Sequence, residues 1–246
     1  MIALPLDCTA LDGAIVDLDG TMVDTLGDFA QALNLMLADL ALPAIAPPAI
    51  ANMVGKGSAH LLRLVLNHAL AQQGRALAAP EIEALNVRAW PIYQQHYLRI
   101  NGQFATVYVG VPEGLQALRR AGLRLACVTN KPLPFALPLL RAKGLEGFFE
   151  HVFGGDSFEK KKPDPLPLLK TCAALGTAPA RMLMVGDSSN DAQAARAAGC
   201  PVVLVPYGYN HGKSIALAEP DRIIPTVAAV AEALQAVQAP DLHPAE

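Results

Sequence analysis

Short, continuous apolar segments alternate with longer segments of helical periodicity along most of the chain. Four of the short segments lie between turn-forming residues, at positions 13–18, 123–129, 181–186 and 201–206. Apolar residues that run on without alternation are typical of strands buried on both faces of a parallel sheet. The pattern therefore predicts four parallel strands.

Segments with apolar residues at helical spacing separate these strands. They predict helices over residues 111–122, 132–144, 164–176 and 190–199, each ending on a glycine that can cap the helix. Regular alternation of strands and helices is typical of α/β proteins. The predicted fold class is therefore α/β, with a doubly wound (Rossmann-like) parallel sheet as its core.

A helical segment interrupts this alternation between the first strand and the rest of the sheet. Its last helical region begins near Pro80, and Pro91 is expected to kink or restart it. No part of the segment has the pattern of a strand. We therefore predict an all-helical insertion, residues 25–103, within a core made of residues 1–24 and 104–246.

The first part of this insertion contains two further helix signals. Thr25 and Asp28 have the spacing of a capping box, which predicts the start of a helix there. Residues 42–50, LPAIAPPAI, predict a turn, and Ser58 is expected to open the next helix.

The composition excludes several classes of function. The chain has 246 residues and a formal net charge of −3, which gives no electrostatic basis for binding nucleic acid. No apolar run approaches the ~20 residues of a membrane span, and the N-terminus, MIALPLDCTA, lacks the basic region of a signal peptide. We therefore expect a cytoplasmic protein that binds neither nucleic acid nor membranes.

The cysteines point to the same compartment. They lie far apart and form no C-x-x-C pair: Cys8, Cys127, Cys172 and Cys200. In a chain of this length, such spacing favours reduced and mostly buried thiols. The histidines are scattered as well, so a zinc site is not expected.

Polar and charged residues follow the predicted strands at the points where the strands end. They are Asp17 and Asp19 after the first strand, Thr129, Asn130 and Lys131 after the second, Asp187 and Asp191 after the third, and Lys162 between the last two groups. Ligand sites in open α/β sheets lie beyond the carboxyl ends of the strands. We therefore expect these side chains to gather in one place.

Four carboxylates in one place would repel one another unless a cation lies among them. Oxygen ligands without His or Cys favour a hard ion, above all Mg²⁺. Because Mg²⁺ commonly joins protein carboxylates to a phosphate group, the expected substrate is a small phosphoester. Lys162 would neutralise phosphoryl charge, and Thr129 and Asn130 would donate hydrogen bonds to the phosphoryl oxygens.

Two aspartates separated by one residue can divide the chemistry. Asp17 can attack phosphorus and form an aspartyl-phosphate. Asp19 can protonate the leaving oxygen and later take a proton from the water that hydrolyses this intermediate. Gly20 would let the chain leave the strand and turn both carboxyl groups into one cavity.

Four motifs, DLDGT, VTNK, KKPDP and GDSSND, occur in this order along the chain. They resemble those of the haloacid dehalogenase superfamily of phosphohydrolases, and the helical insertion resembles its cap domain of the C1 type. The resemblance implies that Asp17 is the nucleophile, Asp19 the general acid and base, and Thr129 and Lys162 the residues on the phosphoryl group. It also implies a Mg²⁺ site held by Asp17, the backbone carbonyl of Asp19 and Asp187, with Asp191 as a further ligand or as a support.

Within that superfamily, the chain is most similar to the bacterial phosphoglycolate phosphatases. The motif VGKG precedes the second predicted helix, and Gly55 and Gly57 would let backbone N–H groups approach the substrate. The helix that starts near Ser58 would offer its positive end to the substrate's carboxylate. Lys56, where asparagine is common in that group, and Lys131 are further substrate-binding candidates.

Several alternatives are left open by the sequence. The same motifs fit a phosphatase for another small phosphoester, such as a sugar or amino-sugar phosphate. A non-catalytic phosphate-binding scaffold is opposed by Asp17, since a pure binder needs no nucleophile. A mutase finds no support in the sequence, and Asp19 argues against a dehalogenase, which lacks the second aspartate. Both a monomer and a homodimer are compatible with the sequence, and the stretch Tyr207–Asn210 receives no role.

Overall fold

The computed structural model of the chain describes residues 11–230. Its strands are β1 (Gly13–Val16), β2 (Val23–Asp24), β3 (Thr106–Val107), β4 (Arg124–Val128), β5 (His151–Phe153), β6 (Met182–Gly186), β7 (Val202–Leu204) and β8 (Arg222–Ile223). Six of them form a parallel sheet in the order β5-β4-β1-β6-β7-β8. The predicted α/β fold with a parallel sheet is thus confirmed, and the predicted strands are β1, β4, β6 and β7.

Eight α-helices lie wholly within the described part of the chain. They are α1 (Leu26–Asp39), α2 (Pro47–Ala51), α3 (Ser58–Gln72), α4 (Ala79–Ile100), α5 (Val111–Arg120), α6 (Leu133–Ala142), α7 (Leu166–Ala174) and α8 (Ser189–Ala198). The last four correspond to the four helices predicted for the core. The predicted core also includes residues 1–10 and 231–246, which lie outside the described residues.

The central strands are apolar on both faces because helices cover both faces of the sheet. In β1, Ala14 and Val16 pack into one hydrophobic cluster with residues of α5 and α6, while Ile15 packs into another with residues of α7 and α8. The strands β4 and β6 alternate between the same two clusters. This double burial explains the continuous apolar runs of the sequence.

The two outer strands of the sheet did not give a sequence signal. β5 has three residues and β8 has two, and each lies at an edge of the sheet. Their residues are only partly buried or exposed. An apolar run is therefore not required at these positions, and so none was available to predict them.

Helices α1, α3 and α4 pack around a hydrophobic cluster of their own. Its large buried members include Leu33, Met36, Leu62, Tyr93 and Tyr97. No strand interrupts this helical segment, as predicted. The boundaries of a separate domain over residues 25–103 stay a prediction.

The chain leaves the sheet for the helical segment and returns to it through a short antiparallel pair. β2 precedes α1 and β3 follows α4, and Val23 pairs with Val107 while Asp24 pairs with Thr106. This pairing brings the entry and the exit of the helical segment side by side.

The predicted capping box at Thr25 and Asp28 is wrong. Thr25 is the N-cap residue of α1, but its side chain makes no capping hydrogen bond. The Asp28 carboxylate instead accepts hydrogen bonds from the backbone N–H groups of Gly102, at 2.6 Å, and Phe104, at 2.8 Å. The Asp28 carboxylate thus binds distant backbone groups instead of the backbone N–H of Thr25, its partner in the predicted capping box.

Two other predictions for the helical segment need correction. The turn predicted at 42–50 runs into the short helix α2, whose first residue is Pro47. Proline suits the first position of a helix because the N–H group it lacks would have no partner there. The helix α4, 22 residues long, does not restart at Pro91 but continues through it, since its packing against α1 and α3 overrides the local preference. A kink at Pro91 stays a prediction.

Three of the four cysteines can be placed. Cys127, Cys172 and Cys200 are free and buried, as predicted, whereas Cys8 lies outside the described residues. Among residues 11–230, no helix combines the length and the apolar character that crossing a bilayer requires.

The two backbone hydrogen bonds that Asp28 accepts, from Gly102 and Phe104, lead to a stability prediction. Asp28→Asn should lower the free energy of unfolding by about 1–3 kcal/mol, because the new amide would turn an N–H group toward a buried backbone donor. Urea denaturation measures this change. Asp156→Asn is the matched control, since the exposed Asp156 carboxylate accepts a hydrogen bond from one backbone N–H, that of Leu133. Equal losses in the two variants would contradict the prediction.

Candidate active site

Three neighbouring strands bring the predicted site residues together. β1 lies between β4 and β6 in the sheet, and all three are parallel. Asp17, Thr129 and Asp187 each come directly after one of these strands. They therefore lie side by side at the carboxyl edge of the sheet, where ligand sites of this fold class occur.

Three carboxylates form a group at this edge. Asp17, Asp187 and Asp191 each offer an oxygen, and these oxygens lie within 4.8 Å of one another. Lys162 enters the group with its Nζ 2.9 Å from Asp17 Oδ1 and 2.7 Å from Asp191 Oδ1. The lysine side chain is 2% exposed, so the ion pairs lie in the interior of the protein.

Burial sets the charges of this group. It raises the pKa of Asp17 to about 7, an effect that Lys162 opposes and Asp191 reinforces. Burial, and then the charges of Asp191 and Asp17, raise the pKa of Asp187 well above its usual value. Burial alone would lower the pKa of Lys162, but Asp17 and Asp191 raise it above its usual value, so the side chain stays an ammonium.

Hydrogen bonds fix the orientation of two of these carboxylates. Asp187 accepts from the Thr21 hydroxyl at 2.8 Å and from the backbone N–H of Tyr209 at 2.5 Å. The second oxygen of Asp191 accepts from the Ser188 hydroxyl at 2.7 Å and from the Ser188 backbone N–H at 3.1 Å. The group is therefore held in place before any ligand arrives.

The donor set fits a divalent cation. Three carboxylates face one ammonium, so the ionised group keeps two negative charges that no side chain in it balances. Asp17 Oδ1 is buried, with the Lys162 ammonium at 2.9 Å. Oxygen donors without His or Cys are the ligands that hard divalent ions prefer.

Glycines leave room for this group. A methyl group at Gly186 would overlap the Asp191 carboxylate, and a methyl group at Gly208 would overlap Asp187. At Gly20, φ is +87°, and a side chain would again overlap Asp187. This positive φ is the turn out of β1 that the sequence predicted there.

Asp19 has a different partner. Its carboxylate lies 2.9 Å from Lys131 Nζ, and both side chains are nearly buried. The same Nζ lies 4.4 Å from the centre of the Phe29 ring and 4.8 Å from that of Tyr97. Lys131 is thus held between a carboxylate of the sheet region and two aromatic rings of α1 and α4, a cation–π arrangement.

A small cavity of about 30 Å³ opens between the sheet edge and the helical segment. Its walls include the predicted residues Asp17, Asp19, Gly55, Gly57, Thr129, Asn130 and Lys131. Ser58, the first residue of α3, also lines it, so the N-terminus of that helix faces the cavity. Lys56 does not line it and is exposed on the other side of its loop.

Thr129 and Asn130 contribute in different ways. The Thr129 hydroxyl oxygen accepts a hydrogen bond from the backbone N–H of Lys131 at 3.1 Å, which leaves its proton free for a ligand. The Asn130 amide nitrogen donates to the carbonyl oxygens of Gly55, at 3.1 Å, and Lys162, at 2.8 Å. In this conformation Asn130 ties the loop before α3 to the sheet edge.

The structure adds residues that the sequence did not single out. Thr21 and Ser188 orient carboxylates, and the Asn190 amide donates to the Gly55 carbonyl at 3.3 Å. Tyr209 holds Asp187 through its backbone, and its hydroxyl accepts hydrogen bonds from the N–H groups of Thr25 and Leu26 while donating to Asp24. The stretch YGYN therefore links the carboxylates to the start of α1. The sequence carried one signal for this role, because YGYN follows β7 and therefore lies at the same sheet edge as the carboxylates.

Known proteins resemble this chain in sequence. A family model for haloacid dehalogenase-like hydrolases matches residues 11–199. A phosphoglycolate phosphatase of Thiobacillus denitrificans is 43% identical over 231 residues, which cover 94% of this chain and 97% of that protein. A phosphoglycolate phosphatase of Nitrosospira multiformis is 45% identical over 217 residues, with coverage of 88% and 92%.

The fold resembles that of a related crystal structure. The protein in question is described as a predicted phosphoglycolate phosphatase from Haemophilus somnus. The two structures superpose with a TM-score of 0.84 at 34% identity, over 91% of this chain and 97% of that one. Sequence and fold thus lead to the same group of proteins.

The glycines around the carboxylates allow a test of the cation site. Gly186→Ala and Gly208→Ala should each weaken binding of Mn²⁺ by about 10–100-fold, because the added methyl groups displace Asp191 and Asp187. Electron paramagnetic resonance of free Mn²⁺ measures the affinity. Gly147→Ala is the control, since its methyl group would meet no atom within 4 Å. Unchanged affinity in the first two variants would place the cation elsewhere.

Proposed function

The chain belongs to the haloacid dehalogenase-like hydrolase family, and from that membership we propose that it is a phosphatase that hydrolyses 2-phosphoglycolate to glycolate and phosphate. The observation that carries the chemistry is the buried group of three carboxylates around Lys162 at the sheet edge. The relatives named for phosphoglycolate, at 43% and 45% identity, support the choice of substrate.

Asp17 is the nucleophile of the proposed reaction. Its carboxylate lines the cavity, and its buried Oδ1 is ion-paired with Lys162. The new bond makes an aspartyl-phosphate, and the alkoxide oxygen of glycolate leaves. The Lys162 ammonium, 2.9 Å from the attacking oxygen, and the Thr129 hydroxyl stabilise the charge of the phosphoryl oxygens.

Asp19 moves the protons. It protonates the departing glycolate oxygen and, once glycolate has left, removes a proton from the water that attacks the aspartyl-phosphate. The Lys131 ammonium, 2.9 Å from the Asp19 carboxylate, fixes the position of this group in the cavity wall. Hydrolysis of the aspartyl-phosphate then releases phosphate and restores Asp17.

The divalent cation is proposed to be Mg²⁺. Asp17, Asp187 and Asp191 are the side chains that would hold it, together with the backbone carbonyl of Asp19. When bound, it neutralises carboxylate and phosphoryl charge so that two anions can approach each other.

The helical segment, residues 25–103, is proposed to act as a cap over this site. The N-terminus of α3 and Lys131 would receive the carboxylate of 2-phosphoglycolate, because both face the cavity beside Asp17. Gly55 and Gly57 shape the loop at this point, with φ of +121° and +84°. The cavity is too small for the substrate as it stands, so the cap must open to admit it and close again to exclude water.

A panel of small phosphoesters tests the proposed reaction. With Mg²⁺ present, kcat/KM for phosphate release should be highest for 2-phosphoglycolate, and Asp17→Asn should lower kcat by at least about 10³-fold. A higher kcat/KM for a sugar or amino-sugar phosphate would support the proposed reaction but contradict the assignment of 2-phosphoglycolate as its substrate. Phosphate release from no member of the panel would favour a non-catalytic phosphate-binding protein.

Lys131 allows a sharper test of substrate recognition. Lys131→Met should lower kcat/KM for 2-phosphoglycolate about 10–100-fold more than for 2-hydroxyethyl phosphate, which lacks the carboxylate. The comparison is needed because the substitution also removes the partner of Asp19 and will slow both reactions. Lys131→Arg, which keeps the charge, serves as the matched control. An equal decrease for the two substrates would limit Lys131 to the positioning of Asp19.

A further inference from the structure

A second opening lies between the helical segment and the sheet region, on the outer side of the Lys162 loop. We call it the seam cleft; Lys56, His60 and Arg63 line one side, and Glu159, Lys160 and Lys161 line the other. Its volume is about 960 Å³, against about 30 Å³ for the cavity beside Asp17. The seam cleft is therefore large enough for a ligand of several linked groups.

The residues of the cap side come from one loop and one helix face. Lys56 lies in the loop before α3. His60 and Arg63 lie within α3, and residues three positions apart share one face of a helix. That face and Lys56 line the seam cleft.

Positive charge dominates this cleft. Lys56, Arg63, Lys160 and Lys161 are cationic, in a chain whose formal net charge is −3. The acidic residues on the wall are Glu159 and Asp164, and an oxygen of Asp164 already accepts a hydrogen bond from the backbone N–H of Leu166. The only described ion pair of Arg63 is with Glu83, at 4.0 Å and with both side chains more than half exposed, so it neutralises Arg63 weakly.

Lys161 is the central residue of the cleft. Its Nζ crosses the seam and donates a hydrogen bond to the Lys56 carbonyl oxygen at 2.7 Å. Within residues 11–230, no carboxylate lies at ion-pair distance from it. Burial lowers the pKa of Lys161. The pKa of His60 is lowered by burial and then by the nearby charges of Lys56, Lys161 and Arg63, as expected in a region of positive potential.

We propose that the seam cleft binds a polyvalent oxyanion, in the form of linked phosphate groups. Cations line both walls, so a chain of phosphates can pair with Lys56 and Arg63 on one side and with Lys160 and Lys161 on the other at the same time. The site differs from the catalytic one, because the Lys162 ammonium is directed to Asp17 and Asp191.

Such a ligand would act on the closure of the cap. Opening must break the bond from Lys161 to Lys56 and separate the two walls of the cleft. An anion paired with both walls adds contacts that exist only while they are together, and it therefore favours the closed arrangement. The ligand would hinder entry of the substrate and release of the products without occupying the substrate's own cavity.

Inorganic tripolyphosphate is the probe for this site. Calorimetric titration into the full chain, free of divalent ions and at low salt, should show binding. Arg63→Glu on the cap side and Lys160→Glu on the sheet side should each raise its Kd by about tenfold, since each reverses one charge of the cleft. Arg75→Glu and Lys170→Glu change the net charge equally at exposed positions outside the cleft, and they should leave the Kd within about twofold.

The outcomes separate the possible sites. Equal affinity in the wild type and all four variants would overturn the proposal and place the anion elsewhere, for example at the catalytic carboxylates and Lys162. Absence of binding by the wild type would overturn it as well. Thermal unfolding checks that each variant folds, and Arg63→Gln and Lys160→Gln replace any variant that does not, with about threefold weaker binding expected. The result does not depend on which phosphoester the enzyme hydrolyses.

Discussion

The structure depends above all on one buried ammonium among three carboxylates. Lys162 touches Asp17 and Asp191, and Asp187 lies beside them. In a region of low dielectric constant, such a group is unstable unless each member is oriented and its charge is compensated. Much of the sheet edge serves this end. Thr21, Ser188 and the Tyr209 backbone supply hydrogen bonds, and glycines supply the space. The negative charge that is left over fits a divalent cation.

A second buried lysine connects the chemistry to the helical segment. Lys131 comes from the sheet region and pairs with Asp19, yet two rings from α1 and α4 surround its ammonium group. Separation of the helical segment from the sheet would expose this lysine to water and remove the rings. The loop before α3 is tied down in the same way, since amide groups of Asn130 and Asn190 both reach the Gly55 carbonyl. The environment of the proposed acid and base is therefore complete only when the two parts are in contact.

The sequence was informative where one physical requirement acts alone. The strands β1, β4 and β6 must be apolar on both faces, and the residues after them lie at a common edge, so both the sheet and its carboxylates could be predicted. The edge strands β5 and β8 and the short helix α2 carry no such requirement. Partners that are distant in sequence were beyond reach as well. The residues near Asp28 in sequence do not indicate that it will accept hydrogen bonds from Gly102 and Phe104. Those near Lys131 do not indicate that aromatic rings will surround its ammonium group. The role of Tyr209 likewise depends on contacts with residues about 185 positions away.

The antiparallel pair β2–β3 has an evolutionary consequence. Val23 and Val107 are direct neighbours, so the chain enters and leaves the helical segment at points only about 5 Å apart. A segment whose ends meet can be lengthened, shortened or replaced at little cost to the sheet, because the cost of closing a loop grows slowly with its length. The sheet edge with its carboxylates could thus be kept while the helical segment is exchanged as a unit.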